Sequence, residues 1–203
     1  MIKAIVLDIG GVLLRTVDRS GREMLEKKYN LPAGGADDLV FNSKPAAEST
    51  LGQLEQNKIW EHVAEVLSLT PQALEKFKLA FWEGDQIDQN LLSYLETLKS
   101  SYKTALLSNA WVGLRNILAD QYEIFEGHTV DHILISSELG VAKPDHHIYQ
   151  ILADTIQCDF SQILFVDDFI ENIEAAKALG IQTIHYQPGM DLIGQIQSEL
   201  DHH

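Results

Sequence analysis

The chain has 203 residues, enough for one α/β domain or a core with a small insert, and enough to bury a core without cross-links. Hydrophobic residues make up 45% and charged residues 22%, an ordinary globular balance, and no apolar run approaches the roughly 18 residues of a membrane span. The formal charge of -15 argues against nucleic acid as a partner, and the single cysteine, Cys158, excludes an internal disulfide and points to a reducing, cytoplasmic setting.

Ala4-Ile5-Val6-Leu7 predicts a buried parallel strand, entered directly from Met1 with no room for a secretory leader. It runs into Asp8-Ile9-Gly10-Gly11-Val12-Leu13. The two glycines permit a tight turn and close backbone approach to a ligand, and a carboxylate there can serve as nucleophile or metal ligand. A plain strand-to-turn Asp-Gly explains this segment about as well. Three of the four arginines, Arg15, Arg19 and Arg22, follow within eight positions. They read either as a solvated helix face or as a positive rim over an anion site. From residue 15 to 85 the pattern is helical without strands. Pro32-Ala33-Gly34-Gly35 is a loop, Trp60, Val63, Ala64 and Leu67 form an apolar stripe, and Thr70-Pro71 is an N-cap and first-turn pair. This segment is an insert, and Gly84-Asp85 marks the return to the core.

Strand and helix then alternate to the end. Leu91, Leu92, Leu95 and Leu98 share a helix face, and Thr104-Ala105-Leu106-Leu107 is a strand ending in Ser108-Asn109-Ala110. A hydroxyl and free N–H groups at a strand end can hold phosphate oxygens, or simply cap the following helix. His132-Ile133-Leu134-Ile135 is a third strand. Lys143-Pro144-Asp145 follows it, more often a plain loop than a site, with Ile148, Ile151 and Leu152 on the next helix. Ile163-Leu164-Phe165-Val166 is a fourth strand, ending in Asp167-Asp168. Two adjacent carboxylates there repel each other unless a hard cation such as Mg²⁺ lies between them. Ile173, Ala176 and Leu179 mark a helix closed by Gly180, and Gln182-Thr183-Ile184-His185 is a weaker last strand. The predicted class is α/β: a Rossmann-like parallel sheet from 1–14 and 86–203 with helices on both faces, plus the 15–85 insert. The terminal His202-His203 is assigned no role.

The order and spacing of the four strand-end segments resemble the motifs of the haloacid dehalogenase superfamily. That resemblance implies a Mg²⁺-dependent hydrolase of small phosphorylated metabolites, sugar phosphates among them. Asp8 would be the nucleophile that becomes an aspartyl phosphate, Ser108 the phosphate ligand and Lys143 the stabilising cation. Asp168 would be the main Mg²⁺ ligand with Asp167 close by, and Asp8 and the Gly10 carbonyl would complete the shell. The insert then corresponds to the small all-helical cap of the family. Only about 35 residues separate Ser108 from Lys143, too few for a large second cap. Substrate contacts are expected from Asn109, Arg15 and Trp111 as well as Ser108 and Lys143, in a monomer or homodimer.

One position departs from the family pattern. Most phosphatases of the family carry a second Asp two residues after the nucleophile, as general acid and base; here it is Gly10. A phosphatase remains the favoured reading, with the acid supplied elsewhere, His146 and His147 being candidates, or with a substrate whose leaving group needs none. The alternatives are a weakly active or non-catalytic protein that binds a phospho-ligand or partner, and a metal-independent 2-haloacid dehalogenase. Asp167-Asp168 argues against the last.

Overall fold

In the computed structural model, residues 1–201 are described, so His202 and His203 lie outside the described residues. The chain opens with β1 (Ala4–Leu7) and a short strand β2 (Leu14–Thr16). Five helices follow: α1 (Ser20–Lys28), α2 (Gly35–Phe41), α3 (Lys44–Thr50), α4 (Asn57–Val66) and α5 (Pro71–Trp82). The remainder alternates as β3 (Asp85–Ile87), α6 (Gln89–Leu98), β4 (Lys103–Ser108), α7 (Leu114–Tyr122), β5 (His132–Ile135), α8 (Ser136–Leu139) and α9 (His146–Ile156). It ends with β6 (Ile163–Asp167), α10 (Ile170–Ala178), β7 (Gln182–His185) and α11 (Leu192–Asp201).

The main sheet has the order β5-β4-β1-β6-β7, and each neighbouring pair is parallel. Strand alternation explains why both faces are covered. Ile5 and Leu7 point to one side, with Leu106 and Val166, and pack on Leu91, Leu95, Leu118 and Ile196. Ala4 and Val6 point to the other, with Leu107 and Phe165, and pack on Ile148, Leu152, Ile173 and Ala176. The chain leaves β1 to build β4 and β5 on one side, then returns to build β6 and β7 on the other. The carboxyl ends of β1, β4 and β6 therefore meet at the point where strand order reverses, the usual ligand crevice of such sheets.

The insert has its own core, in which Leu25, Val40, Ile59, Val63, Phe77 and Phe81 are buried. Local signals set its helices: Thr70 Oγ1 accepts the Ala73 N–H at 3.3 Å with Pro71 in the first turn, and Ser43 caps α3 in the same way. Its two ends are not strand-free. β2 and β3 pair antiparallel, Arg15 opposite Gln86, so a two-stranded ribbon stands where the chain crosses between the units.

The arginine rim is a correction. Arg22 is buried, with a side chain 6% exposed, and its guanidinium bonds both oxygens of Asp85 at 2.7 and 2.8 Å and also Asp37. It lies 4.4 Å over the Phe81 ring. Arg19 pairs with Asp37 at 2.6 Å. Both cations are spent inside the insert, holding α1 to α2 and to the ribbon, rather than facing an anion site.

Candidate active site

Asp8 follows β1 directly, and its amide donates to Val166 O at 2.8 Å, which ties the residue to β6. Its side chain is almost fully buried. Oδ1 accepts the Ile9 N–H at 2.7 Å and stands 2.9 Å from Lys143 Nζ. Lys143, its side chain 1% exposed, also donates to Asp167 Oδ2 at 2.6 Å and to the Leu107 carbonyl at 3.0 Å. All three ammonium donors thus have protein acceptors. A direct contact between Lys143 and substrate would have to replace one of them.

Asp167 is saturated. Oδ1 accepts the Phe169 N–H at 2.8 Å and Asn172 Nδ2 at 3.0 Å, while Oδ2 takes Lys143 and Asn172. Asp168 contrasts with it: its Oδ1 is buried and finds no hydrogen-bond partner among the described residues. One oxygen from each of Asp8, Asp167 and Asp168 can be chosen so that all lie within 4.8 Å of one another. Three carboxylates face one ammonium in a place where unpaired charge is costly. Burial pushes Asp8 up to about 7, with Lys143 pulling it down and the Asp167 charge pushing it up. Burial, with the Asp167 charge, pushes Asp168 up to about 6. Burial alone would lower the Lys143 ammonium, but Asp8 and Asp167 outweigh it and hold it above its ordinary value.

This donor set fits a hard divalent cation: all-oxygen, over-acidic, and with one buried carboxylate oxygen left without a partner. The glycine turn shapes the same spot. Gly11 has φ +82°, and a Cβ there would collide with the Asp168 carboxylate. Gly10 is the opposite case, since a Cβ on it would meet nothing within 4 Å.

The β4 end supplies Ser108, buried at the last strand position, in register with Ile135. Asn109, expected against substrate, instead spends its side-chain amide on the backbone of Lys143. Nδ2 donates to Lys143 O at 2.7 Å, and Oδ1 accepts Lys143 N–H at 2.8 Å. Arg15 pairs with Asp88 and donates to the Tyr186 hydroxyl, so its charge is already matched. Trp111 sits at the join between insert and core, its ring 5.4, 6.4 and 6.4 Å from those of Phe41, Trp60 and Trp82. His146 and His147 are exposed at the first turn of α9, and Cys158 is buried among apolar side chains.

Two residues of the site carried no role in the sequence reading. Asn172 holds both oxygens of Asp167; its place in the first turn of α10, four residues after Asp168, was the available signal. His185 Nε2 lies 3.0 Å from the Asp168 carbonyl, and nothing in the sequence separates it from an ordinary strand residue.

A strand-end Asp–Lys–Asp-Asp cluster on a parallel sheet with a helical insert after β1 defines a class, and the comparisons agree with it. Residues 2–180 match the model of the haloacid dehalogenase-like hydrolases, so the chain belongs to that family. Among curated relatives, it is 28% identical over 200 residues to the D-ribitol-5-phosphate phosphatase of Bacteroides thetaiotaomicron, covering 94% of this chain and 95% of that one. It is 25% identical to the drimenol cyclase of Aspergillus calidoustus, covering 91% of this chain but only 34% of the cyclase. A solved enzyme of the family from Bacteroides thetaiotaomicron, in complex with magnesium and inorganic phosphate, shares the fold with a TM-score of 0.76 at 22% identity, covering 95% of this chain and 98% of that one.

Proposed function

We propose that this protein is a Mg²⁺-dependent phosphomonoester hydrolase of small phosphorylated metabolites, sugar and polyol phosphates among them, working through an aspartyl phosphate on Asp8. The observation that carries the reading is the cluster in which Asp8, Asp167 and Asp168 crowd around Lys143, with Asp168 Oδ1 unpartnered among the described residues. The D-ribitol-5-phosphate phosphatase likeness supports the substrate class. Three crowded carboxylates have no use in a metal-free dehalogenase.

The metal would be held by Asp8, Asp168 and the Gly10 carbonyl, with Asp167 behind them orienting Lys143. When bound, it supplies positive charge that offsets the repulsion between a carboxylate and a phosphate dianion. Asp8 attacks phosphorus through the oxygen that Ile9 N–H and Lys143 leave free. Those two donors fix its rotamer and favour the ionised form. Ser108 and the backbone at the carboxyl end of β4 hold phosphate oxygens. The P–O bond to the leaving group breaks, its oxygen departs with the electron pair and takes a proton from solvent, and water then cleaves the acyl phosphate to return Asp8 and release inorganic phosphate. Gly10 brings no acid to protonate the leaving alcohol, so rate depends on the quality of the leaving group.

The test is hydrolysis of p-nitrophenyl phosphate with and without Mg²⁺, beside Asp8→Asn. Mg²⁺-dependent release that disappears in Asp8→Asn is expected. Release that survives the substitution, or none from folded wild-type protein, overturns the reading.

A further inference from the structure

Ser136 has no assigned role and belongs to none of the four motifs in sequence, yet it joins three parts of the molecule. It is fully buried at the start of α8, directly after β5. Its Oγ accepts the Ala110 N–H at 3.0 Å, two residues past Ser108. The same oxygen lies 2.7 Å from the Thr50 carbonyl, at the end of α3 in the insert, and 3.3 Å from the Ala110 carbonyl. One hydroxyl hydrogen must choose between those two carbonyls. The neighbouring backbone is in close contact as well: a Cβ on Gly52, which has φ +71°, would collide with the Ser137 carbonyl. The insert is therefore seated on the β5 end through α3, and the loop that follows Ser108 hangs from the same side chain. That loop continues into Asn109, whose amide clamps the Lys143 backbone on both sides.

We infer that Ser136 is a positioning residue that couples the seating of the insert to the phosphate-binding loop. When α3 is in place, the Ser136 hydroxyl donates to Thr50 and its lone pair fixes Ala110. When α3 lifts, Ser136 loses the Thr50 acceptor that fixes its hydroxyl, the hydrogen is free to turn to the Ala110 carbonyl, and the loop is no longer tied to the insert. The inference rests on the phosphatase reading for the statement that the loop holds phosphate. The link between α3 and the loop stands on the hydrogen bonds themselves.

The experiment is amide hydrogen exchange on the wild-type chain and on Gly52→Ala, which perturbs the seat from the insert side without touching the cluster. Inorganic phosphate with Mg²⁺ is the probe. In wild type, phosphate is expected to slow exchange in 109–113 and in 50–53 together. In Gly52→Ala, Ala110 exchanges faster without ligand, and the Kd for phosphate rises about 10-fold, the scale of one lost hydrogen bond, with Mg²⁺ affinity unchanged. Ser136→Ala gives the same rise in Kd and in KM for p-nitrophenyl phosphate, and adds little to Gly52→Ala. A purely structural serine would lower the melting temperature and leave Kd and KM alone. Phosphate protection confined to 109–113, or Ala110 exchange unchanged in Gly52→Ala, overturns the coupling. Absence of any phosphate binding to wild type instead removes the functional reading, and the effect of Gly52→Ala on Ala110 still decides the link.

Discussion

Gly10 occupies the position where most phosphatases of the family place their proton donor, and the structure says what would follow from restoring it. A Cβ there meets nothing within 4 Å among the described residues, and Gly10 is not among the residues with positive φ, so a β-carbon at position 10 costs neither overlap nor backbone strain. Loss of glycine freedom in the unfolded chain favours the variant by about 0.4–1 kcal/mol. A fourth carboxylate beside Asp8, Asp167 and Asp168 raises the charge density, so the variant needs bound Mg²⁺ more than wild type does. A well-placed general acid is worth ~10²–10⁴ in rate, or roughly 3–5 kcal/mol of barrier. That gain belongs only to leaving groups that need a proton. For an alkyl phosphate such as D-ribitol 5-phosphate, kcat/KM is expected to rise at least ~100-fold, while p-nitrophenyl phosphate changes less than ~10-fold. The assay is steady-state kinetics on both substrates at saturating Mg²⁺. An equal change on both, or no gain on the alkyl ester, refutes the claim that the missing acid limits this site.

The remaining predictions concern the same cluster and its support. Gly11→Ala drives a methyl into the Asp168 carboxylate, so Mg²⁺ binding by calorimetry is expected to be lost while the fold by circular dichroism persists; unchanged Mg²⁺ affinity would remove Asp168 from the metal shell. In the metal-free protein, Asp8 and Asp168 stand near 7 and 6 instead of 3.8, so between about pH 4 and 7 the folded state binds more protons than the unfolded one. Their contribution to stability is therefore present at low pH and lost as pH rises through 6 to 7. Mg²⁺, which takes the ionised forms, should raise the melting temperature more at pH 8 than at pH 5, and an equal shift at both would contradict the assignment. Arg22→Ala takes from the part-buried Asp85 carboxylate the guanidinium that bonds both its oxygens, leaving it the Thr16 hydroxyl, and is expected to cost ~3–5 kcal/mol in urea unfolding; a loss under ~1 kcal/mol would mean that the insert does not depend on this pair.

The main sheet was legible in the sequence because parallel strands buried on both faces are continuous apolar runs, and each run here ends on a residue that packing does not require. Asp8, Ser108, Asp167 and Asp168 lie at such ends, while Lys143, in the loop beyond α8, was singled out only by the order and spacing of the four segments that the family resemblance rests on. The β2–β3 ribbon was not legible: its strands are three residues each, and their pairing joins positions some seventy apart, which no local periodicity encodes. The arginines misled because nearness in sequence says nothing about partners, and Asp37 and Asp85 reach Arg22 only through the fold. Asn109 and Ser136 show the converse. A short polar residue in a loop can bind ligand or hold backbone, and only three-dimensional placement decides which.

The join between insert and core also has an optical consequence. All three tryptophans of the chain lie there, with ring centroids 6.3 Å (Trp60–Trp82), 6.4 Å (Trp60–Trp111) and 6.4 Å (Trp82–Trp111) apart. Trp60 and Trp82 belong to the insert and couple to each other wherever it sits, whereas Trp111, in the loop beyond Ser108, couples to them only while the two units are docked. The near-ultraviolet circular dichroism of this protein is thus a built-in gauge of docking, and Trp111→Phe would silence the core's side of it while keeping a ring in place.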